Sequence, residues 1–195
     1  MTTVYFVRHS ESDNSVRDDA TRPLTERGML NRWIVAEYLA DKGVDAVVSS
    51  PYKRSVDTVA ELAEKNGLTI EKIYDLRERK PDSVWLSDDE FAELVKRQWD
   101  DFDYLRSDGE CLREVQNRNI SAVNNVLKRY AGKTVVVGTH GTALSTIINY
   151  YEPEYGYEDF WAMIKLTPWI VKMQFDGEKL CDIEKIDVLA MYKPN

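Results

Sequence analysis

The sequence predicts an α/β fold: a three-layer α/β/α sandwich with a mostly parallel central sheet and an antiparallel C-terminal edge. Three observations predict it. Short, mostly apolar runs occur at Val4–Val7, Val44–Val48 and Thr134–Val137, the pattern of strands buried on both faces. Segments with apolar residues at helical spacing separate them, and such alternation favours parallel pairing through right-handed crossovers. Two later strand-like runs flank Asp176-Gly177, a hairpin signal that adds antiparallel strands at a sheet edge.

In chain order, Val4–Val7 is the first strand. A helix is expected from about Glu26 to Lys42, with Leu30, Trp33, Ile34 and Tyr38 among its apolar residues and Gly43 as its stop. The second strand follows at Val44–Val48. Ser55 to Asn66 places Val56, Val59, Ala60 and Ala63 on one helical face, and Gly67 ends it. Ile70 to Tyr74 is strand-like. Ser87-Asp88-Asp89-Glu90 fits a capping box that opens a short helix to about Trp99. Val115, Asn119, Ala122, Val123, Val126 and Tyr130 recur at helical spacing ahead of the third apolar run, and Ala143–Tyr151 reads as the helix after it. Trp169–Phe175 and Leu180–Ile186 form the hairpin.

At 195 residues, the length favours one domain, since domains average about 150 residues. Residues 1–195 are read as that domain, with an irregular, aromatic-rich insertion at about 79–109. Lys and Arg number 26 against 34 Asp and Glu, a net charge of −8. That balance argues against a nucleic-acid partner and against an anionic membrane surface. It leaves room for a small anionic substrate in a locally basic pocket. Cys111 and Cys181 are distant and form no CxxC pair, so reduced thiols in a cytoplasmic protein are expected. Arg8 interrupts the first apolar run too early for a signal peptide, and no run approaches the ~20 residues of a membrane span.

The only two histidines, His9 and His140, each lie just beyond an apolar strand. In open α/β sheets, ligands bind outside the carboxyl ends of the strands. One histidine in such a place is more often a structural hydrogen-bonder. Here Arg8 adjoins His9, and Arg54 follows the second strand where the chain enters a helix. A helix N-terminus beside an arginine suits an anion. Two guanidinium groups and two imidazoles converging on one edge suit a phosphoryl group. Zinc fits less well, for no HxH or HExxH pair occurs. A GxSxG elbow and a GxxxxGK[ST] loop are also absent. No metal and no cofactor are expected.

Further motifs accompany these groups. The order is Arg8-His9-Ser10-Glu11, Leu24-Thr25-Glu26-Arg27-Gly28, Ser49-Ser50-Pro51-Tyr52-Lys53-Arg54-Ser55-Val56-Asp57-Thr58, Leu76-Arg77-Glu78, Gly109-Glu110-Cys111 with Arg118 downstream, and Thr139-His140-Gly141. This ordered set resembles the histidine phosphatase superfamily, which includes phosphoglycerate mutases and many phosphomonoesterases. The resemblance implies that His9 is the nucleophile and becomes phosphohistidine. It implies that Arg8, Arg54 and His140 hold the phosphate, and that Glu78 is the proton donor, with Glu110 the other carboxyl able to take that role. The substrate implied is a small phosphomonoester. Ser10 stands where the family has glycine, the register of a family asparagine falls at Ser15 or Val16 with Asn14 slightly early, and Arg79-Lys80-Pro81-Asp82 replaces the continuation usual after Glu78. Arg79 and Lys80 offer extra charge to an anionic substrate or, on the plainer reading, belong to a solvated loop. Residues 79–109 are expected to overhang the strand ends and set specificity, or else to pack their aromatics against the core. Two other readings are a mutase that passes the phosphoryl group between substrates and a weakly catalytic protein that binds a phospho-ligand.

Overall fold

The computed structural model describes residues 1–192. Among them, one six-stranded sheet has the order β3-β2-β4-β1-β5-β6. Its strands are β1 (Thr2–Arg8), β2 (Ala46–Ser49), β3 (Ile70–Lys72), β4 (Thr134–Thr139), β5 (Trp169–Asp176) and β6 (Lys179–Ile186). The first four pair in parallel; β5 runs antiparallel to β1, and β6 antiparallel to β5. The expected mixed sheet, parallel in its centre and antiparallel at one edge, is therefore present.

Pleating sends alternate residues of β1 to opposite faces. Val4 and Phe6 join one core with Val48, Val135 and Val137. Tyr5 and Val7 join the other with Val47 and Val136. Helices α1 (Glu26–Leu39) and α2 (Lys53–Lys65) cover the second face, together with the short α7 (Val188–Met191). The first face is covered by α4 (Leu112–Arg129), α5 (Gly141–Tyr151) and α6 (Tyr157–Met163), with Val95 of α3 (Asp88–Asp100) contributing. These are the three layers.

Helix starts follow local chemistry. Thr25 caps α1 by accepting from the Gly28 N–H at 3.0 Å, and its own N–H bonds the Glu11 carbonyl at 3.0 Å. A Cβ on Gly28 would collide with that Glu11 carbonyl oxygen. The Leu24–Gly28 motif thus docks the start of α1 onto the loop leaving β1. Ser87 and Glu90 form the expected capping box of α3. Two short helices, α6 and α7, were not legible in the periodicity. Each is too short to establish a 3.6-residue repeat. The third parallel strand is shorter than expected, because the chain turns into a single 3₁₀ turn at Tyr74–Leu76.

Candidate active site

Register brings the two histidines together. Arg8 of β1 lies opposite Thr139 of β4, so the next residue of each strand is a histidine at the same carboxyl edge. The His9 N–H bonds the Thr139 carbonyl at 3.1 Å. The two rings meet edge to face, centroids 5.3 Å apart. On the other side of β4, Ser49 lies opposite Gly138, and the Ser50 N–H bonds the Gly138 carbonyl at 2.9 Å. This puts the Ser50 hydroxyl 2.7 Å from His140 Nε2.

The tautomer of His9 follows from its neighbour. Its Nδ1 lies 2.7 Å from the Ser10 carbonyl oxygen. A carbonyl only accepts, so Nδ1 carries the proton and Nε2 keeps a free lone pair. Both imidazoles are buried and neutral. Burial, then the Arg54 and Arg8 charges, hold His9 well below the usual 6.5. Burial, Arg54 and His9 do the same to His140. Hydrogen bonds fix the loop after His9 as well: Thr58 Oγ1 accepts from the Ser10 N–H at 2.9 Å and donates to the Arg54 carbonyl at 2.8 Å. The hydroxyls of Ser49 and Ser55 lie 3.0 Å apart beneath Gly138, where a Cβ would press on both. Ser50 and Thr58 stand within the Ser49–Thr58 motif, whose sequence alone does not reveal these tasks.

These histidines give stability a pH dependence. Unfolding returns each imidazole to a pKa near 6.5. Below that pH the unfolded chain takes up protons that the folded chain refuses. Stability is therefore full above about pH 6.5 and declines as pH falls towards the depressed folded-state values, by at most about 1.4 kcal/mol per pH unit per histidine. Urea unfolding at pH 7.5 and 5.5 should show the loss, and His140→Asn should reduce it. An equal loss in both proteins would assign the effect to carboxyl groups instead.

Both arginines are buried and anchored. Arg8 Nη1 donates to the carbonyls of Met163, Ile164 and Leu166 at 2.9, 3.0 and 2.9 Å. These lie at and just beyond the C-terminus of α6, the end whose dipole favours a cation. Burial lowers the Arg8 pKa to about 10, so the group stays charged at neutral pH. Arg54, in the first turn of α2, is 2% exposed. Its Nη1 donates to the Asp19 carbonyl at 2.6 Å, and its Nη2 lies 3.1 Å from Asp19 Oδ1. The turn after α6 and Asp19 are supporting parts that no sequence signal announced.

Glu78 and Glu110, which the sequence left as competitors, have different surroundings. Glu78 Oε2 accepts the Thr142 N–H at 3.0 Å, and Oε1 accepts those of Ala143 and Arg79 at 3.1 and 2.7 Å. It therefore sits on the N-terminus of α5, one turn from His140. Arg118 holds the segment that carries it, donating to the carbonyls of Asp75, Arg77 and Glu78. Glu110 immediately precedes Cys111, which caps α4. The Glu110 carboxylate accepts from Arg118 at 2.8 and 3.0 Å, Arg77 at 2.9 Å and the Lys80 N–H at 3.0 Å. Burial opposes its charge, but Arg118, the Lys80 N–H and Arg77 outweigh burial and lower its pKa. Glu110 braces the loop and is fully occupied in doing so.

Arg79 departs from expectation. It is buried, with Nη1 donating to the Gln98 side-chain carbonyl and its guanidinium 5.5 Å from the Phe91 ring centre. Lys80 does sit in an exposed loop, bonded to Ser83. The segment around residue 85 touches the loop after β1: Arg17 and Arg22 lie 5.5 and 5.8 Å from the Trp85 ring centre. Among the described residues, no group of three or more His, Cys, Asp or Glu is placed to hold a metal ion. No helix among them is long and apolar enough to cross a membrane.

The family model described as the histidine phosphatase superfamily, branch 1, matches residues 4–186. The chain belongs to the histidine phosphatase superfamily. It is 28% identical over 152 residues to a Bacillus subtilis protein named "Uncharacterized phosphatase PhoE", covering 76% of each chain. It is 26% identical over 162 residues to a Yersinia pestis protein named "Probable phosphoglycerate mutase GpmB", covering 76% of this chain and 74% of that one. The solved structure of Bacillus stearothermophilus YhfR superposes with a TM-score of 0.76 at 24% identity, over 93% of this chain and 95% of that one. The superposition shows the shared fold. As a member of this superfamily the protein is a phosphatase or mutase-type enzyme.

Proposed function

We propose that the protein hydrolyses a small phosphomonoester through a phosphohistidine intermediate on His9. The observation that supports it most strongly is the state of that ring. His9 is neutral, with its proton held on Nδ1 by the Ser10 carbonyl and Nε2 left as a nucleophile. In this reading Arg8, Arg54 and His140 hold the phosphoryl group. Charge on the equatorial oxygens needs such fixed donors more than it needs covalent chemistry.

The cycle balances around one carboxyl. Nε2 of His9 attacks phosphorus, and the bond to the ester oxygen breaks. Protonated Glu78 gives its proton to the departing alkoxide. A water then attacks the phosphohistidine, and the Glu78 carboxylate takes its proton, so phosphate leaves and Glu78 returns to its starting form. The N-terminus of α5 stabilises the carboxylate between the two steps.

Residues 79–109 are assigned to leaving-group selection, since Trp85 meets the loop that follows β1. A phosphatase is favoured over a mutase because Arg79-Lys80-Pro81-Asp82 lacks the mutase-like continuation after Glu78. The test is release of inorganic phosphate from 4-nitrophenyl phosphate and from a panel of phosphorylated metabolites, with and without chelator. Turnover unaffected by chelator and inhibited by orthovanadate is expected. Turnover that needs a restored divalent ion, or phosphoryl transfer to a second metabolite in place of release, would overturn the reading.

A further inference from the structure

We infer that Asp19 is a positioning residue for Arg54, setting the guanidinium that would hold the phosphoryl group. The role rests on the phosphatase chemistry proposed above. Arg54 offers five N–H donors in a rigid fork. Asp19 accepts one on its main-chain carbonyl, from Nη1 at 2.6 Å, and its carboxylate Oδ1 forms an ion pair with Nη2 at 3.1 Å. The remaining donors are left for a ligand. Two contacts to one planar group fix both its position and its rotation, which a single bond does not.

The loop is built to deliver Asp19. Arg22 Nη1 donates to the same Oδ1 at 2.8 Å, so that oxygen bridges two guanidinium groups. Arg22 also donates to the Val16 carbonyl at 2.8 Å, closing the loop on itself. The Ala20 N–H bonds Asp18 Oδ1 at 2.9 Å, and the Ala20 carbonyl accepts the Lys53 N–H at 3.0 Å, one residue before Arg54. The segment carrying Asp19 is thus tied to the start of α2 through both backbone and side chains. The bridging carboxylate also separates the positive charges of Arg22 and Arg54, which would otherwise repel.

A misplaced oxyanion donor weakens binding of a transition-state mimic more than binding of a ground-state anion. Asp19→Ala should therefore weaken orthovanadate binding by about 10–100-fold, with a smaller loss for inorganic phosphate. Its kcat for 4-nitrophenyl phosphate should fall by a similar factor. Both variants keep the main-chain carbonyl, but Asp19→Asn also keeps a side-chain oxygen to face Nη2, so its vanadate loss should be intermediate, about 3–10-fold. Titration calorimetry on the full chain, with thermal melts alongside, makes the measurement. If Asp19→Ala fails to fold, Asp19→Asn carries the test. A lowered melting temperature with wild-type vanadate affinity in the folded variant would overturn the positioning role and leave the phosphatase reading intact. Failure of the wild-type protein to bind vanadate or release phosphate would instead remove the phosphatase reading itself.

Discussion

His9→Ala should abolish covalent labelling by a radiolabelled phosphomonoester and lower turnover by at least about 10³-fold, because no other group supplies the nucleophile. His140 is equally buried, but its Nε2 lies 2.7 Å from the Ser50 hydroxyl rather than free. It suits stabilisation of the phosphoryl oxygens, so His140→Ala should slow turnover while still allowing slow labelling of His9. The two variants are distinguishable by rapid quench and peptide mapping. Acid-labile label on the His9 peptide, lost in His9→Ala and retained at reduced rate in His140→Ala, is the expected pattern. Label mapped to His140 or to a serine would show that the roles are reversed or wrong.

Glu78→Gln should cost about 10²–10⁴-fold with an alkyl phosphate. An alkoxide is a poor leaving group and needs its proton during bond cleavage. A nitrophenolate barely does, so the loss in phosphoenzyme formation should shrink sharply for the aryl ester. Single-turnover measurement is required, because Glu78 also serves the later hydrolysis and steady-state rates mix the two steps. Glu110→Gln provides the contrast. Its carboxylate holds Arg77, Arg118 and the Lys80 N–H, so its loss should lower the melting temperature and slow both esters alike. Leaving-group dependence in Glu110→Gln, with equal losses in Glu78→Gln, would exchange the assignments.

The local code of this protein lies close to the surface of its sequence. Mostly apolar runs become strands buried on both faces, and amphipathic spacing becomes α2 and α4. Ser87 and Glu90 cap α3 as their side chains require. These features depend on neighbours a few residues apart, and short-range chemistry decides them. The placement of His9 and His140 just beyond strand ends is legible for the same reason, and so is the ordered set of motifs that resembles the superfamily.

What joins those pieces was decided only by the tertiary structure. The order of strands sets β1 beside β4, and this alone makes the two histidines neighbours. Arg8 finds its carbonyl anchors about 155 residues away, on a short helix that no periodicity reveals. Glu78 and Glu110 belong to similar motif fragments, yet one meets the N-terminus of α5 and the other two arginines and the Lys80 N–H. Arg79 looks like a loop charge and is buried against Gln98 and Phe91. Asp19 is one acidic residue among many until Arg54 folds onto it. Each outcome depends on a directional bond between distant segments. Such bonds leave no repeat in the sequence, because their partners meet only after the hydrophobic layers have set the register.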